Sequence, residues 1–243
     1  MINNNCVALV TGGNKGIGFQ VVRELAILGA TVLIGARSET FGNEAVSKLR
    51  DEGLQADPIP LDVSNQSSIQ AAERLIRKRF GRLDILINNA GIAIDQGISP
   101  SQLSIDIFRQ TFETNVFGAF LVTQIMLPLM KIAGTGRIVN VSSGLGSLTQ
   151  NSNPEYEFAG VKLLAYNSSK TTLNSLTVQF AHELKDSQIK INSADPGFTA
   201  TDLNGNRGTR TVEQASKIII KLATLDESGP TGGFYDENGV VPW

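Results

Sequence analysis

Short apolar segments rich in β-branched residues recur along the chain and alternate with segments of helical periodicity. These apolar segments are VALV, TVLIG, ADPIPLDV, LDILINNAG, GRIVNVSS, IKINSADPG and TGGFYD. Strand, helix, strand repeated about six times is the pattern of βαβ units. Strands with so few polar residues are typical of a parallel sheet that helices bury on both faces. The sequence therefore predicts an α/β fold: a doubly wound parallel sheet of about seven strands with helices on both faces.

The chain shows no sign of a second domain or of a charged partner. No low-complexity stretch, charge block or Pro/Gly-rich linker divides it, so residues 1–243 are expected to form a single domain. The balance of 21 Lys and Arg against 23 Asp and Glu gives no overall field that would favour nucleic acid or an anionic membrane. The longest apolar run, GAFLVTQIMLPLM, is too short to span a bilayer and is expected to be a core helix.

The N-terminus and the rare residue types narrow the prediction further. MINNNC lacks the basic region of a signal peptide, so a cytoplasmic protein is expected. Cys6 lies in an apolar run and is expected to be a small buried side chain. His182 has the spacing of a solvated helix residue. One cysteine and one histidine do not make a zinc site, and no metal is expected.

A glycine-rich turn, TGGNKGIG, joins the first predicted strand to the first predicted helix. Gly12 permits a tight exit from the strand, while Gly16 and Gly18 remove side chains where backbone approaches a pyrophosphate and where helix packs on sheet. The helix N-terminus then offers free N–H groups to phosphate. This context predicts a Rossmann-type dinucleotide site, whose candidate residues in the turn are Gly12, Asn14, Lys15, Gly16, Ile17 and Gly18.

The spacing of this turn resembles the TGxxxGxG phosphate turn of the short-chain dehydrogenase/reductase family, and three later motifs agree with that resemblance. They are LDV, NNAG and PGFTAT, each at the end of a predicted strand. The resemblance implies an adenine contact at LDV, a ribose contact at NNAG and a nicotinamide and diphosphate contact at PGFTAT. The residues implied are Asp62, Val63, Asn89, Ala90, Gly91, Pro196, Gly197 and Thr199.

The end of the second strand predicts which dinucleotide binds. An NAD enzyme usually has a carboxylate there to hold the ribose 2′-hydroxyl, whereas this chain has Ala36 followed by Arg37. Lys15 is expected to bring a second cation to the same neighbourhood, which favours a 2′-phosphate and hence NADP(H). Glu39 is the acidic residue that could favour NAD instead.

Tyr166 and Lys170 are four positions apart, so on a helix they share one face. The Y-x-x-x-K pattern alone is also common on surface helices. A nearby ammonium is expected to stabilise the phenolate and to move the pKa of the phenol towards working pH, where it can exchange a proton with an alkoxide.

The family resemblance completes a catalytic set around this pair. It implies that Ser143 binds the substrate carbonyl oxygen and that Asn115 bends its helix and holds a water leading to Lys170. Tyr166 and Lys170 are expected to contact the cofactor as well. Ser142 is the less favoured serine, since neighbouring strand residues face opposite sides.

The resemblance implies an NADPH-dependent reductase that transfers hydride to ketone, aldehyde or quinone carbonyls, with Tyr166 as proton donor. One alternative is an NAD(P)-dependent dehydrogenase that oxidises a secondary alcohol. Another, of a different class, is a non-catalytic NADP(H)-binding regulator, which would normally have lost Tyr166 or Lys170.

The irregular segment Gly144–Leu163 lengthens the chain between Ser143 and Tyr166 and resembles the extended segment of the carbonyl-reductase branch. In that branch the segment covers helices through which other members form tetramers, so a monomer is expected, with a homodimer as the alternative. Tyr156, Phe158 and Leu163 are candidate walls of the pocket for a small carbonyl substrate.

Overall fold

The computed structural model describes residues 5–243 and contains one eight-stranded sheet of order β3-β2-β1-β4-β5-β6-β7-β8. The strands are β1 Val7–Thr11, β2 Thr31–Ala36, β3 Ala56–Pro60, β4 Ile85–Asn88, β5 Thr135–Val141, β6 Gln188–Ala194, β7 Phe234–Asp236 and β8 Gly239–Val240. The α-helices are α1 Gly16–Ile27, α2 Glu39–Asp51, α3 Gln66–Phe80, α4 Ile105–Phe112, α5 Ala119–Ala133, α6 Leu148–Ser152, α7 Leu164–Glu183 and α8 Val212–Ala223.

Each face of the sheet carries its own hydrophobic core. Alternate residues of a strand point to opposite faces, so in β1 Leu9 packs on one side while Ala8 and Val10 pack on the other. The first core joins the sheet to α3, α5 and α7, and the second joins it to α1, α2 and α8. The predicted doubly wound Rossmann fold is therefore confirmed.

The strand order places a ligand crevice at the centre of the sheet. The chain runs outward from β1 to β3 and then returns to pair β4 with the other side of β1. In open α/β sheets this reversal leaves a crevice at the carboxyl ends of the two central strands. The glycine turn after β1 and the NNAG motif after β4 meet there.

The sheet has one strand more than the sequence analysis predicted. Strands β1 to β7 pair in parallel, and β8 pairs antiparallel with β7. A turn returns the chain after β7, because one Asp236 carboxylate oxygen accepts hydrogen bonds from the Asn238 and Gly239 amides. Strand β8 has only two residues, too few to show a strand pattern in the sequence.

The longest helical stretch of the described residues is Ile105–Ala133, where the π-helical turn Glu113–Gly118 joins α4 to α5. This stretch of 29 residues is long and apolar enough to cross a membrane by length and composition alone. Its side chains Val122, Met126 and Leu129 are fully buried in the first core. The helix is therefore longer than the apolar run that the sequence analysis judged too short to span a bilayer. Packing on the sheet buries 44% of its most apolar window, in keeping with the expected core helix.

Candidate active site

Two cavities adjoin at the carboxyl ends of the strands. The first has a volume of about 420 Å³ and the second about 720 Å³. The first is lined by the glycine turn, by the ends of β2 to β5 and by the loop after β6. Tyr166 lines both cavities. Its hydroxyl can therefore act where molecules bound in the two cavities meet.

The glycine turn is held in a form that other residues would not tolerate. Gly12 and Gly16 have φ of +62° and +56°, the left-handed region that favours glycine. A Cβ at Gly18 would lie 2.4 Å from Nδ2 of Asn89 and 2.5 Å from the Gly12 carbonyl oxygen. Gly18 is therefore required for close packing of the turn against NNAG.

Hydrogen bonds join the glycine turn to the end of β4. Asn89 donates from Nδ2 to the carbonyl oxygens of Thr11 and Gly12, at 2.9 and 3.2 Å. The Thr11 hydroxyl accepts from the backbone amides of Asn89 and Ala90, both at 3.0 Å. These bonds hold the two motifs as one cradle, whose shape fits the backbone of a dinucleotide.

The far end of the first cavity carries the residues predicted to select the cofactor. Arg37 lines it and is exposed, whereas Glu39 is not among its lining residues. Asp62 also lines it and accepts hydrogen bonds from the Ser64 hydroxyl and amide. An exposed arginine with no carboxylate at the ribose position fits a 2′-phosphate.

Lys15 has a different partner from the one expected. Its ammonium lies 2.8 Å from the Asp202 carboxylate across the mouth of the cavity, and both side chains are largely exposed. An exposed ion pair of this kind is weak. Lys15 lines the same cavity as Arg37, but in this structure its charge is directed to the loop after β6.

The loop after β6 contributes lining residues to both cavities. Pro196 lines both, while Gly197 and Thr199 line only the second. The Thr199 hydroxyl donates to the carbonyl oxygens of Pro196 and Gly197 and so stabilises the loop itself. The structure therefore does not bring Gly197 and Thr199 into the first cavity. The residues that line it instead, which the sequence analysis missed, are Ala200, Thr201, Asp202, Leu203 and Asn206.

Tyr166 and Lys170 lie on the first turns of α7, and both are buried. The Lys170 ammonium donates to the Val141 carbonyl oxygen at 2.7 Å and lies 5.6 Å from the centre of the Tyr166 ring. The two side chains thus share one face of the helix and one enclosed space, as the spacing predicted.

The effect of Lys170 on the pKa of Tyr166 differs from the expectation. Burial raises the pKa of Tyr166 to about 12, and a hydrogen bond with Ser143 opposes this rise without cancelling it. Burial lowers the pKa of Lys170 to about 8. Desolvation disfavours the charged form of each group, and the Asp195 and Asp95 carboxylates raise the pKa of Tyr166 further. The phenol accordingly keeps its proton at neutral pH.

The two serines after β5 are distinguished by their partners. Ser143 lines the second cavity, and its hydroxyl is close enough to Tyr166 to lower the pKa of the phenol. The Ser142 hydroxyl is buried and donates to the Asn174 side-chain oxygen at 2.7 Å. The hydroxyl available to a substrate beside Tyr166 is therefore that of Ser143.

Asn115 lies in the π-helical turn and connects three elements. Its Oδ1 accepts from the Ile92 amide at 2.8 Å, and its Nδ2 donates to the Ile92 carbonyl oxygen and to the Ser169 hydroxyl. A Cβ at Gly91 would lie 3.5 Å from Asn115 Oδ1 and 3.6 Å from Lys170 Nζ. Asn115 thus fixes the loop after β4 against α7, directly beside Lys170.

Aromatic side chains form one wall of the second cavity. The rings of Tyr156 and Phe158 lie 5.7 Å apart edge to face, and Phe198 lies 5.8 Å from Phe158. Leu163 lines the same cavity, so all three predicted wall residues do. The lengthened segment contains α6 and a series of turns, and several of its residues line the cavity.

Comparison with known proteins agrees with this geometry. The family model of the short chain dehydrogenases matches residues 6–211. The chain belongs to the short-chain dehydrogenase family. It is 36% identical over 245 aligned positions to the short-chain dehydrogenase anuI of Penicillium roqueforti, covering 97% of this chain and 96% of that protein.

Carbonyl reductases are also similar to this short-chain dehydrogenase. The carbonyl reductase [NADPH] 1 of Bos taurus is 34% identical over 282 aligned positions, with both chains covered completely. The crystal structure of NADPH-bound carbonyl reductase from chicken fatty liver superposes with a TM-score of 0.85 at 28% identity, again over the whole of both chains. The predicted family, its carbonyl-reductase-like relatives and the classification as an oxidoreductase are confirmed.

The sequence analysis missed Asp95, although this residue contacts the catalytic helix of the short-chain dehydrogenase. Asp95 is fully buried, and its Oδ2 accepts from the backbone amides of Ala165 and Tyr166 at 2.7 and 3.3 Å. Leu163 precedes α7 and offers no capping side chain. Asp95 therefore provides the N-terminal cap from 71 positions upstream of Tyr166, at a distance where no local sequence signal could reveal it.

Proposed function

We propose that the protein is an NADPH-dependent carbonyl reductase that converts a ketone, aldehyde or quinone to the corresponding alcohol or hydroquinone. The observation that carries the proposal is the position of Tyr166, which lines both cavities with Ser143 on one side and Lys170 on the other. A phenol and a serine hydroxyl side by side can both donate to a carbonyl oxygen on which negative charge develops.

The cofactor is NADP(H). The glycine turn and NNAG would hold its diphosphate and adenosine, and Arg37 would pair with the 2′-phosphate. Support comes from the absence of a carboxylate at Ala36 and Arg37 and from the NADPH named in the carbonyl-reductase relatives. When bound, NADPH supplies the hydride that adds to the carbonyl carbon.

Tyr166 gives its proton to the carbonyl oxygen during this addition, and Ser143 orients that oxygen. The raised pKa of Tyr166, about 12, means that the phenol is the protonated form throughout the neutral range. A protonated phenol can act as the general acid in carbonyl reduction. Oxidation of an alcohol would instead need the phenolate as a general base.

Lys170 and Asn115 support the proton donor. The Lys170 ammonium, charged at pH values below about 8, stabilises the phenolate that remains after donation. Asn115 positions the Ile92 loop and α7 relative to one another. A water held for Lys170 would have to use the remaining lone pair of Asn115 Oδ1 or a backbone group, since both Nδ2 hydrogens already have partners.

An NADPH-oxidation assay against a panel of ketones, aldehydes and quinones tests this function. We expect turnover by the wild type and a loss of about 10²–10⁴-fold in kcat for Tyr166→Phe, the range typical of a general acid. Tyr235→Phe is the matched control, because this tyrosine lies on β7 and lines neither cavity. Equal turnover by Tyr166→Phe and by the control would refute the assignment.

Oxidation of secondary alcohols with NADP⁺ or NAD⁺ is the competing activity, and the same variants measured in that direction distinguish it. A regulator without catalysis would bind NADPH and show turnover in neither direction. The intact set of Asn115, Ser143, Tyr166 and Lys170 favours the enzyme.

Several further expectations stay predictions. They are the single domain over residues 1–243, the cytoplasmic location, and the absence of a metal, of nucleic acid and of a membrane as partners. The monomer is also a prediction. Ile105, Phe117 and Val178 are exposed in the single chain, so light scattering with size-exclusion chromatography is needed to separate a monomer from a homodimer.

A further inference from the structure

The second cavity contains a polar corner that the proposed reaction does not use. Asp195 follows the last residue of β6 and lines the cavity beside Gly144, the residue after Ser143. Its Oδ1 accepts from the Gly197 amide at 2.9 Å, and the Gly144 amide also bonds its carboxylate. The carboxylate is thereby fixed one residue away from the hydroxyl that orients the carbonyl oxygen.

Three side-chain oxygens converge at Gly144. A Cβ there would lie 2.5 Å from the Tyr156 hydroxyl, 2.8 Å from Asp195 Oδ2 and 3.1 Å from Gln150 Oε1. Glycine at this position is what lets all three approach the backbone. Gln150 Oε1 is buried and has no hydrogen-bond partner among the described residues, which is unusual for a buried polar atom.

This corner has more acceptors than donors. The backbone amides of Gly197 and Gly144 donate to the carboxylate. Of the three side-chain oxygens that meet at Gly144, only the Tyr156 hydroxyl carries a hydrogen of its own. Burial raises the pKa of Asp195 and the Asp236 carboxylate adds to the rise, whereas the Gly197 and Gly144 amides and the Arg210 guanidinium oppose it without cancelling it. A donor from outside the chain would add to the amide partners of the Asp195 carboxylate and would lie within the same corner as Gln150 Oε1, which has no partner among the described residues.

The surroundings indicate what kind of molecule carries that donor. The aromatic wall of Tyr156, Phe158 and Phe198 adjoins the corner and suits a flat apolar body. The Arg207 guanidinium, the cationic side chain lining this cavity, is exposed and bonds the Gln96 side chain and the Asn204 carbonyl oxygen. It is thus engaged at the rim. The cation that acts on Asp195 is Arg210, whose guanidinium is itself paired with the Glu237 carboxylate.

We propose that the substrates are aromatic or alicyclic ketones bearing a hydrogen-bond donor, a hydroxyl or an ammonium group, a few bonds from the carbonyl, and that Asp195 accepts this donor. The inference rests on the proposed reductase function, because it takes Ser143 and Tyr166 as the site of the carbonyl oxygen. The donor must lie only a few bonds from the carbonyl, because Ser143, which binds the carbonyl oxygen, is adjacent in the chain to Gly144, beside which Asp195 lies. Asp195 is a specificity-determining residue in this scheme.

Matched α-substituted acetophenones test the proposal in the NADPH-oxidation assay. 2-Hydroxyacetophenone and protonated 2-(dimethylamino)acetophenone carry a donor, whereas 2-methoxyacetophenone has a similar shape and an acceptor only. We expect kcat/KM of the wild type to favour the two donor ketones by about tenfold or more, since a site built to hydrogen-bond a group rejects the analogue that lacks it.

The Asp195→Asn variant tests whether Asp195 causes the preference for ketones that carry a donor. Asparagine keeps the shape and an oxygen for the Gly197 amide, and circular dichroism checks that the variant folds. We expect the kcat/KM ratio of the ammonium ketone to the methoxy ketone to fall about tenfold, because the charge-assisted hydrogen bond is lost.

The outcomes separate this inference from the function on which it rests. A wild type that reduces all three ketones equally overturns the inference and leaves the reductase intact, and this result needs no variant. A preference that survives in folded Asp195→Asn overturns the role of Asp195. If the wild type reduces no ketone of this set or of the wider panel, the proposed function fails first and the inference fails with it.

Discussion

The cap that Asp95 places on α7 leads to a prediction about both stability and catalysis. In Asp95→Leu the buried amides of Ala165 and Tyr166 lose their shared acceptor. A buried donor left unpaired costs about 1–3 kcal/mol, and loss of a helix cap costs about 0.5–2 kcal/mol. The two figures describe the same bonds, so they are not added. Burial of the carboxylate is itself costly, because its Oδ1 has no hydrogen-bond partner among the described residues, and the substitution removes this cost. We therefore expect the free energy of unfolding to fall by about 1–3 kcal/mol.

The same substitution loosens the turn that carries Tyr166. A displacement of about 1 Å in a reacting group can lower the rate on the order of a hundredfold, so kcat should fall by a comparable factor. Asp95→Asn retains an acceptor for the amides and should recover most of both losses, with a residual cost of about 1 kcal/mol.

Urea unfolding followed by circular dichroism and the NADPH-oxidation assay measure the two effects. Asp106→Asn is the matched control, because this carboxylate is 90% exposed and its ion pair with Arg109 spans 3.8 Å; it should change stability by less than about 0.5 kcal/mol. If Asp95→Leu were as stable and as active as this control, the cap would have no role in holding Tyr166.

Three further substitutions test the other parts of the site. Arg37→Asp should raise the Kd for NADPH at least about tenfold, as loss of a charge-assisted bond to phosphate predicts, and unchanged binding in a fluorescence titration would contradict the choice of NADP(H). Gly18→Ala should abolish tight cofactor binding, because its Cβ would collide with Asn89 at 2.4 Å, whereas Gly160→Ala, with no atom within 4 Å of the added Cβ, should bind NADPH normally. Lys170→Met should be inactive yet more stable than the wild type at pH 7 by up to about 3 kcal/mol. The folded pKa of about 8 lies below the model value of 10.5, so the folded state binds fewer protons between these values, and the wild type should gain stability as pH rises from about 8 to 10.5. Urea unfolding at several pH values checks this, and a stability difference that does not shrink across that window would show that burial of the ammonium carries no such cost.

Features that depend on local chemistry were predictable from the sequence. The glycine turn needs φ values above zero at Gly12 and Gly16 and no side chain at Gly18, and only glycine meets these demands. The strands were recognisable because both faces of the sheet are buried, which leaves few polar residues in them. The four-residue spacing of Tyr166 and Lys170 likewise required no knowledge of tertiary structure.

Features that depend on distant contacts were not predictable. The partners of Asp95 and Lys15 are distant in the chain: Asp95 accepts from the Tyr166 amide at the start of α7, and Lys15 pairs with Asp202 in the loop after β6. The spacing of Tyr166 and Lys170 shows that they are neighbours but not that both are buried, and burial decides the direction of each pKa shift. For the same reason the acceptor-rich corner at Gly144 became visible only in the folded chain.

The destination of the hydride is the most direct test of the central claim, reduction of a carbonyl with Tyr166 as proton donor. Wild-type protein and Tyr166→Phe would be incubated with a ketone and NADPH deuterated at C4 on both faces, and the product analysed by mass spectrometry. The account predicts one deuterium per molecule of alcohol with the wild type, and it predicts that the variant forms this product at about one hundredth of the wild-type rate or less. Alcohol without deuterium, or labelled alcohol formed equally fast by Tyr166→Phe, would contradict it.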